Sequence, residues 1–286
     1  MKKLRLAGWA ACLLGVIGSM ITFAVQPAAA MTATTPTMRY VALGDSIAAG
    51  AGLPLMMDGT AEDTACGRSA SAYPHLVAQY LHTTSFAHIA CGGATASNLY
   101  NSQTVGGNAL APQIDAAFAN GRPDVITLTI GANDLGWSSV VGQCYRGGTC
   151  GSTAQNIGLT GARAYLRAKL AWALFRIDQK SGFNMPKVIV TGYFAPFAAD
   201  KTCMDTHGLT AANMQWLNGQ EMQLSQAIKS VATVTHLATY VQPDYTGHEL
   251  CSSSPWIQGL TSPAPFHPTA AGQQAIANTV EAALAL

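Results

Sequence analysis

The sequence predicts an α/β protein with three layers, α/β/α, built around a five-stranded parallel sheet. Two observations predict it. Apolar runs of strand length alternate about five times with segments of helical period. The stretch 124–130 is the clearest buried strand, and a parallel sheet built from such strand–helix units is covered by helices on both sides. Right-handed crossovers then bring every strand–helix junction to one edge of the sheet, where open α/β sheets bind their ligands.

Each element follows from its residues. The first strand covers 38–44 and runs into Gly44-Asp45-Ser46, where glycine permits a sharp turn and aspartate favours one. Residues 51–70 mix Gly, Pro, Asp and Ser and read as a loop. A helix from Tyr73 to His82 places Leu76, Val77, Tyr80 and Leu81 at helical spacing. The second strand, 86–90, ends in Cys91-Gly92-Gly93-Ala94-Thr95. A helix over 110–119 is closed by Gly121-Arg122-Pro123. The strand 124–130 ends in Gly131-Ala132-Asn133-Asp134. Residues 136–158 are rich in small side chains and read as a loop. A long helix at 160–180, a strand at 187–193, a helix at 209–230 and a strand at 234–241 follow. A Pro-, Ser- and Gly-rich loop then leads to His267-Pro268-Thr269 and a terminal helix, 269–285.

The chain has 286 residues and begins with Lys2, Lys3 and Arg5 before a long apolar run and Ala28-Ala29-Ala30. That order is the pattern of a secretory signal peptide, cleaved near Ala30; a retained membrane anchor is the alternative. Residues 31–286 then form one domain. Fifteen basic against 14 acidic side chains give no phosphate-binding bias, so a nucleic-acid partner is not expected. Six cysteines remain beyond the leader: Cys66, Cys91, Cys144, Cys150, Cys203 and Cys251. An even number in an exported chain indicates disulfides, although six cysteines allow about 15 connectivities. No Cys-x2-Cys or His-Glu-x-x-His spacing suggests a metal, and no cofactor is implied. A monomer is the default.

The junctions carry complementary chemistry. Ser46, at the start of a helix, offers a hydroxyl and an unpaired backbone N–H; the bland alternative is a simple helix cap. Gly93 offers an unhindered N–H and Asn133 a carboxamide, and together these would surround a developing oxyanion, although each alone reads as a turn residue. His267 can exchange a proton with a serine hydroxyl. His75, His82, His88 and His236 fall on or beside helices and strands, where packed or solvated roles are expected, while His207 and His248 lie in loops. Apolar side chains on or beside three loops could line an acyl groove: Leu53, Leu55, Met56 and Met57, then Trp137 and Tyr145, then Tyr193, Phe194 and Phe197.

These four ordered blocks, Gly44-Asp45-Ser46, Gly93 before Ala-Thr, Gly131-Ala132-Asn133-Asp134 and His267 in Phe-His-Pro-Thr, resemble the SGNH hydrolases, also called the GDSL family. The resemblance spans 38–286. It implies a flavodoxin-like strand order and an esterase or lipase acting on small-molecule or lipid acyl esters, with Ser46 as nucleophile, His267 as base, and an oxyanion hole of Ser46, Gly93 and Asn133. The family's usual aspartate, three residues before the histidine, is here Ala264. The cysteine spacing is similar to that of the secreted actinomycete lipase and esterase branch, in which a main-chain carbonyl replaces that acid. The carbonyl of Ala264 is therefore expected to orient His267, with Asp244 or Asp200 as the alternative. The same branch implies the pairs Cys66–Cys91, Cys144–Cys150 and Cys203–Cys251. Phospholipase, thioesterase or carbohydrate esterase activity, or a non-catalytic binding module on this fold, remain the other readings.

Overall fold

The computed structural model describes residues 38–146, 150–198 and 201–285. The signal peptide expected at 1–30 and the alternative acid Asp200 lie outside them. Five parallel strands form the main sheet: β1 (Arg39–Gly44), β2 (Ser85–His88), β5 (Val125–Thr129), β6 (Lys187–Thr191) and β7 (Thr239–Val241). Their order is β2-β1-β5-β6-β7, the flavodoxin-like arrangement expected, and all four pairings are parallel. Strand order reverses beside β1, so the crevice between the ends of β1 and β5 is the topological switch point.

The three central strands are buried on both faces, and every residue of β5 is inaccessible or nearly so. The hydroxyls this buries are paired: Tyr40 with Thr127 at 2.6 Å, and Thr129 with both Tyr73 (2.9 Å) and Thr191 (2.7 Å). Such pairing removes the desolvation cost of polar groups inside the core. The covering helices include α3 (Tyr73–Tyr80) and α8 (Ala270–Leu284), which contact each other, and α6 (Thr153–Lys180) and α7 (Ala211–Thr235), which do the same.

Four features differ from the sequence expectation. Two helices occupy much of the 136–158 region read as a loop: α5 (Trp137–Tyr145) buries Val140, Val141 and Cys144 on one face, and α6 starts at Thr153 behind a Ser152–Gln155 capping box. The region read as a loop at 51–70 contains a short helix, α2 (Ala61–Cys66), capped by Thr60 and Asp63. A small hairpin joins β3 (Gln103–Val105) to β4 (Asn108–Leu110) through Gly106 and Gly107, both at positive φ, as tight hairpin turns require. Val234 and Thr235 belong to α7 rather than to the last strand. Among the described residues, no helix is long and apolar enough to cross a membrane.

The cysteines pair as Cys66–Cys91, Cys144–Cys150 and Cys203–Cys251. The first ties the end of α2 to the segment after β2, where Cys66 O also accepts the Gly92 N–H at 2.9 Å.

Candidate active site

The site begins with a close approach of two strand ends. At Gly44, with φ +137°, an added Cβ would lie 2.2 Å from the carbonyl oxygen of Thr129. Only glycine lets β1 end this near β5. Asp45 then caps the short helix α1 (Ser46–Ala49), its side chain accepting the Ile47 N–H at 2.9 Å. The cap is thus Asp45, which leaves the hydroxyl of Ser46 free for His267: Ser46 Oγ lies 2.7 Å from His267 Nε2.

The imidazole is held from behind by main chain. His267 Nδ1 lies 3.0 Å from the carbonyl oxygen of Pro265. The expectation of Ala264 needs correcting by one residue, because the carbonyl of Ala264 instead accepts the backbone N–H of His267 at 3.3 Å. The reason is Phe266, whose φ of +66° turns the chain so that the Pro265 carbonyl meets the ring. A carbonyl only accepts, so Nδ1 carries the hydrogen and the Nε2 lone pair faces the serine O–H. Burial pushes the His267 pKa below the ordinary value of 6.5, while the carbonyls of Pro265 and Ala264 pull it back up. Asp244 has its own partners, the backbone N–H and hydroxyl of Thr246, and lies beside a different cavity.

Gln258 fixes this segment, although nothing in its sequence context pointed to it. Its N–H donates to His267 O at 2.7 Å and its carbonyl accepts from Phe266 N at 2.9 Å. Its side-chain amide donates to Ala51 O, just past α1, and to Pro268 O, both at 2.9 Å. One buried amide therefore ties the histidine loop to the serine loop.

Across the switch point, Asn133 opens a single 3-10 turn after β5 and donates from Nδ2 to Ala94 O at 2.9 Å. That bond uses one amide hydrogen and leaves the other to point elsewhere. The backbone N–H groups of Ser46 and Gly93 donate to no group among the described residues, and Gly93 adopts φ +76°. Asp134 fastens the two donor loops together, accepting from Ala96 N at 2.7 Å and Lys169 Nζ at 2.8 Å. Tyr193 performs a similar task one layer deeper: its hydroxyl donates to Asp45 Oδ2 at 2.5 Å and accepts the Ala132 N–H at 3.1 Å. Burial raises the Asp45 pKa to about 7, against the lowering effect of that tyrosine.

Ser46, Asn133 and His267 line one cavity of about 450 Å³. Its apolar wall comes from Trp137, Val141, Tyr145, Phe194 and Phe266. Of the residues expected to form an acyl groove, Leu53 to Met57 are not part of it, and Phe197 is buried in the core. None of the other histidines reaches the cavity. His75 and His88 pair with each other at 3.2 Å, and His248 stacks on Trp256 with ring centroids 3.7 Å apart. Among the described residues, no group of three His, Cys, Asp or Glu side chains could hold a metal ion.

A hydroxyl bonded to an imidazole, beside free N–H donors and over an apolar cavity at a sheet's switch point, contains the parts of a serine-type hydrolase. Residues 42–275 match the GDSL-like Lipase/Acylhydrolase family, and the chain belongs to that family. It is 29% identical to Lipase 1 of Streptomyces coelicolor over 280 residues, covering 96% of each chain. Its structure is similar to that of an extracellular lipase from Streptomyces rimosus, with a TM-score of 0.70 and 27% identity over 86% of this chain and 100% of that one. A phospholipase A1 from Streptomyces albidoflavus matches with a TM-score of 0.66 and 29% identity over 86% and 99%. The protein is a carboxylic ester hydrolase of the lipase and esterase type.

Proposed function

We propose that this chain is a secreted lipase or esterase that cleaves acyl esters through an acyl-enzyme on Ser46. The observation that carries the reading is the 2.7 Å contact between Ser46 Oγ and His267 Nε2, with Nδ1 committed to Pro265 O. Nε2 takes the serine proton as Oγ attacks the ester carbonyl carbon, and the displaced electron pair moves to the carbonyl oxygen. The N–H groups of Ser46 and Gly93 and the Asn133 amide receive that oxyanion, each worth about 10²–10³ in rate where comparable donors have been removed. Collapse expels the alcohol, which takes the proton from His267. Water then repeats the sequence and frees the acid.

Residues 1–30 act in this reading as a leader removed near Ala30. Three disulfides suit the oxidising exterior it leads to. The apolar cavity favours acyl chains over compact polar esters. The likeness to a phospholipase A1 supports a second reading in which the ester belongs to a phospholipid.

The experiment is hydrolysis of p-nitrophenyl esters of increasing chain length, alongside triacylglycerol and phosphatidylcholine, by purified wild type and Ser46→Ala. Mass mapping of an organophosphate adduct accompanies it. Loss of turnover and of the adduct on Ser46→Ala is expected. A variant that hydrolyses at the parental rate would refute the assignment.

A further inference from the structure

The steps above leave one buried polar group in the cavity without a task. Glu221, midway along α7, is only 5% exposed, and its side chain lines the cavity that holds Ser46 and His267. Its Oε2 atom is buried with no hydrogen-bond partner among the described residues. The neighbouring polar side chains of α7 differ in this respect. Asn218 is bonded to both the N–H and the carbonyl of Phe197, Ser225 to both those of Tyr193, and Gln220 to Arg163. Arg146 also lines the cavity, but it is exposed and forms no ion pair with Glu221.

An orphaned carboxyl in an apolar wall is destabilising, whereas leucine or methionine in the same space would carry no such penalty. Burial, and after it the nearby Asp45, push the pKa of Glu221 well above the ordinary carboxyl range, which favours the protonated form. It is then a donor and an acceptor at once. The partner that satisfies both capacities without adding charge is a hydroxyl. A plain alkyl chain at that place leaves the carboxyl as orphaned as before.

We propose that Glu221 selects substrates that carry a hydroxyl group beyond the reacting ester, seating it by hydrogen bonds inside the cavity. This rests on the assignment of Ser46 as nucleophile. The hydroxyl can arrive by two routes: on a hydroxylated acyl chain, or on the alcohol side, as in a monoacylglycerol.

The test measures kcat/KM for wild type, Glu221→Gln, Glu221→Leu and Glu221→Met in two arms. One arm compares p-nitrophenyl decanoate with a positional series of hydroxydecanoates. The other compares methyl decanoate with monodecanoylglycerol. Wild type is expected to prefer a hydroxyl-bearing member by about tenfold, and the arm showing it identifies the route. Glu221→Gln, which still donates and accepts, keeps most of the preference. The apolar variants lose it and cleave the plain ester faster than wild type. Each ratio is taken within one preparation, so partial misfolding cancels, and the Met variant serves if the Leu variant does not fold. Absence of any hydroxyl preference in wild type, or its survival in an active apolar variant, overturns the proposal. A wrong nucleophile shows itself separately, as Ser46→Ala remaining active in both arms.

Discussion

Replacing Tyr193 by phenylalanine removes one oxygen and opens no cavity, yet that oxygen serves two polar groups. It donates to the buried Asp45 Oδ2 at 2.5 Å and accepts the half-buried Ala132 N–H at 3.1 Å, beside the cavity. Each orphaned group costs about 1–3 kcal/mol, so the variant should lose about 3 kcal/mol of stability. With a urea m-value of about 3 kcal/mol/M, the unfolding midpoint falls by about 1 M. Function should suffer as well. Asp45 precedes Ser46 and Ala132 precedes Asn133, so one hydroxyl bears on the position of the proposed nucleophile and of the amide proposed to receive charge. Displacements of that kind cost up to about 10² in rate. We expect kcat to fall at least tenfold with KM little changed, a split that global loosening would not produce. Urea denaturation followed by fluorescence, with steady-state kinetics on a p-nitrophenyl ester, measures both. A midpoint within 0.2 M of wild type (roughly 0.5 kcal/mol on the same m-value) and kcat within about twofold would refute the reasoning.

Three further outcomes are expected. The proposed base must be neutral to accept a proton, and burial lowers the His267 pKa, so kcat/KM should fall as the pH drops through a midpoint below 6.5; a midpoint above about 7 in the pH–rate profile contradicts this. Asp244→Asn should retain turnover within about twofold, since Asp244 is engaged with Thr246 and the imidazole rests on a carbonyl; abolished activity with folding intact would restore an acid to the mechanism. Replacing Cys66 and Cys91 together by alanine frees a span of 25 residues and should cost about 3–4 kcal/mol in urea unfolding, with activity falling as the Gly93 loop loosens.

Much of this was legible in the residues, for a physical reason. Strands β1, β5 and β6 are enclosed on both faces, so their residues are mostly apolar or β-branched, and the junctions that follow them are chemically distinctive. Ser46, Asn133 and His267 could be picked out because each ends or begins an element on the same edge. Other parts were hidden by their dependence on distant contacts. Helix α5 contains Ser138, Ser139 and Gly142, weak helix formers that hold only because Val140, Val141 and Cys144 pack inward. The hairpin around Gly106 has no alternating pattern to betray it. The choice of Pro265 over Ala264 turned on a left-handed Phe266, a conformation that no local propensity favours. Tyr193 read as an aromatic wall and Gln258 as loop, because a bonding role appears only once partners 148 and 207 residues away are in place.

The carbonyl behind the imidazole has an evolutionary consequence. An enzyme that leans on an aspartate can lose its support through a single codon change, but every amino acid at position 265 supplies the same oxygen. Fragility is thereby moved from chemistry to shape. The damaging changes should be those that straighten the backbone at Phe266 or cut the amide clasp of Gln258.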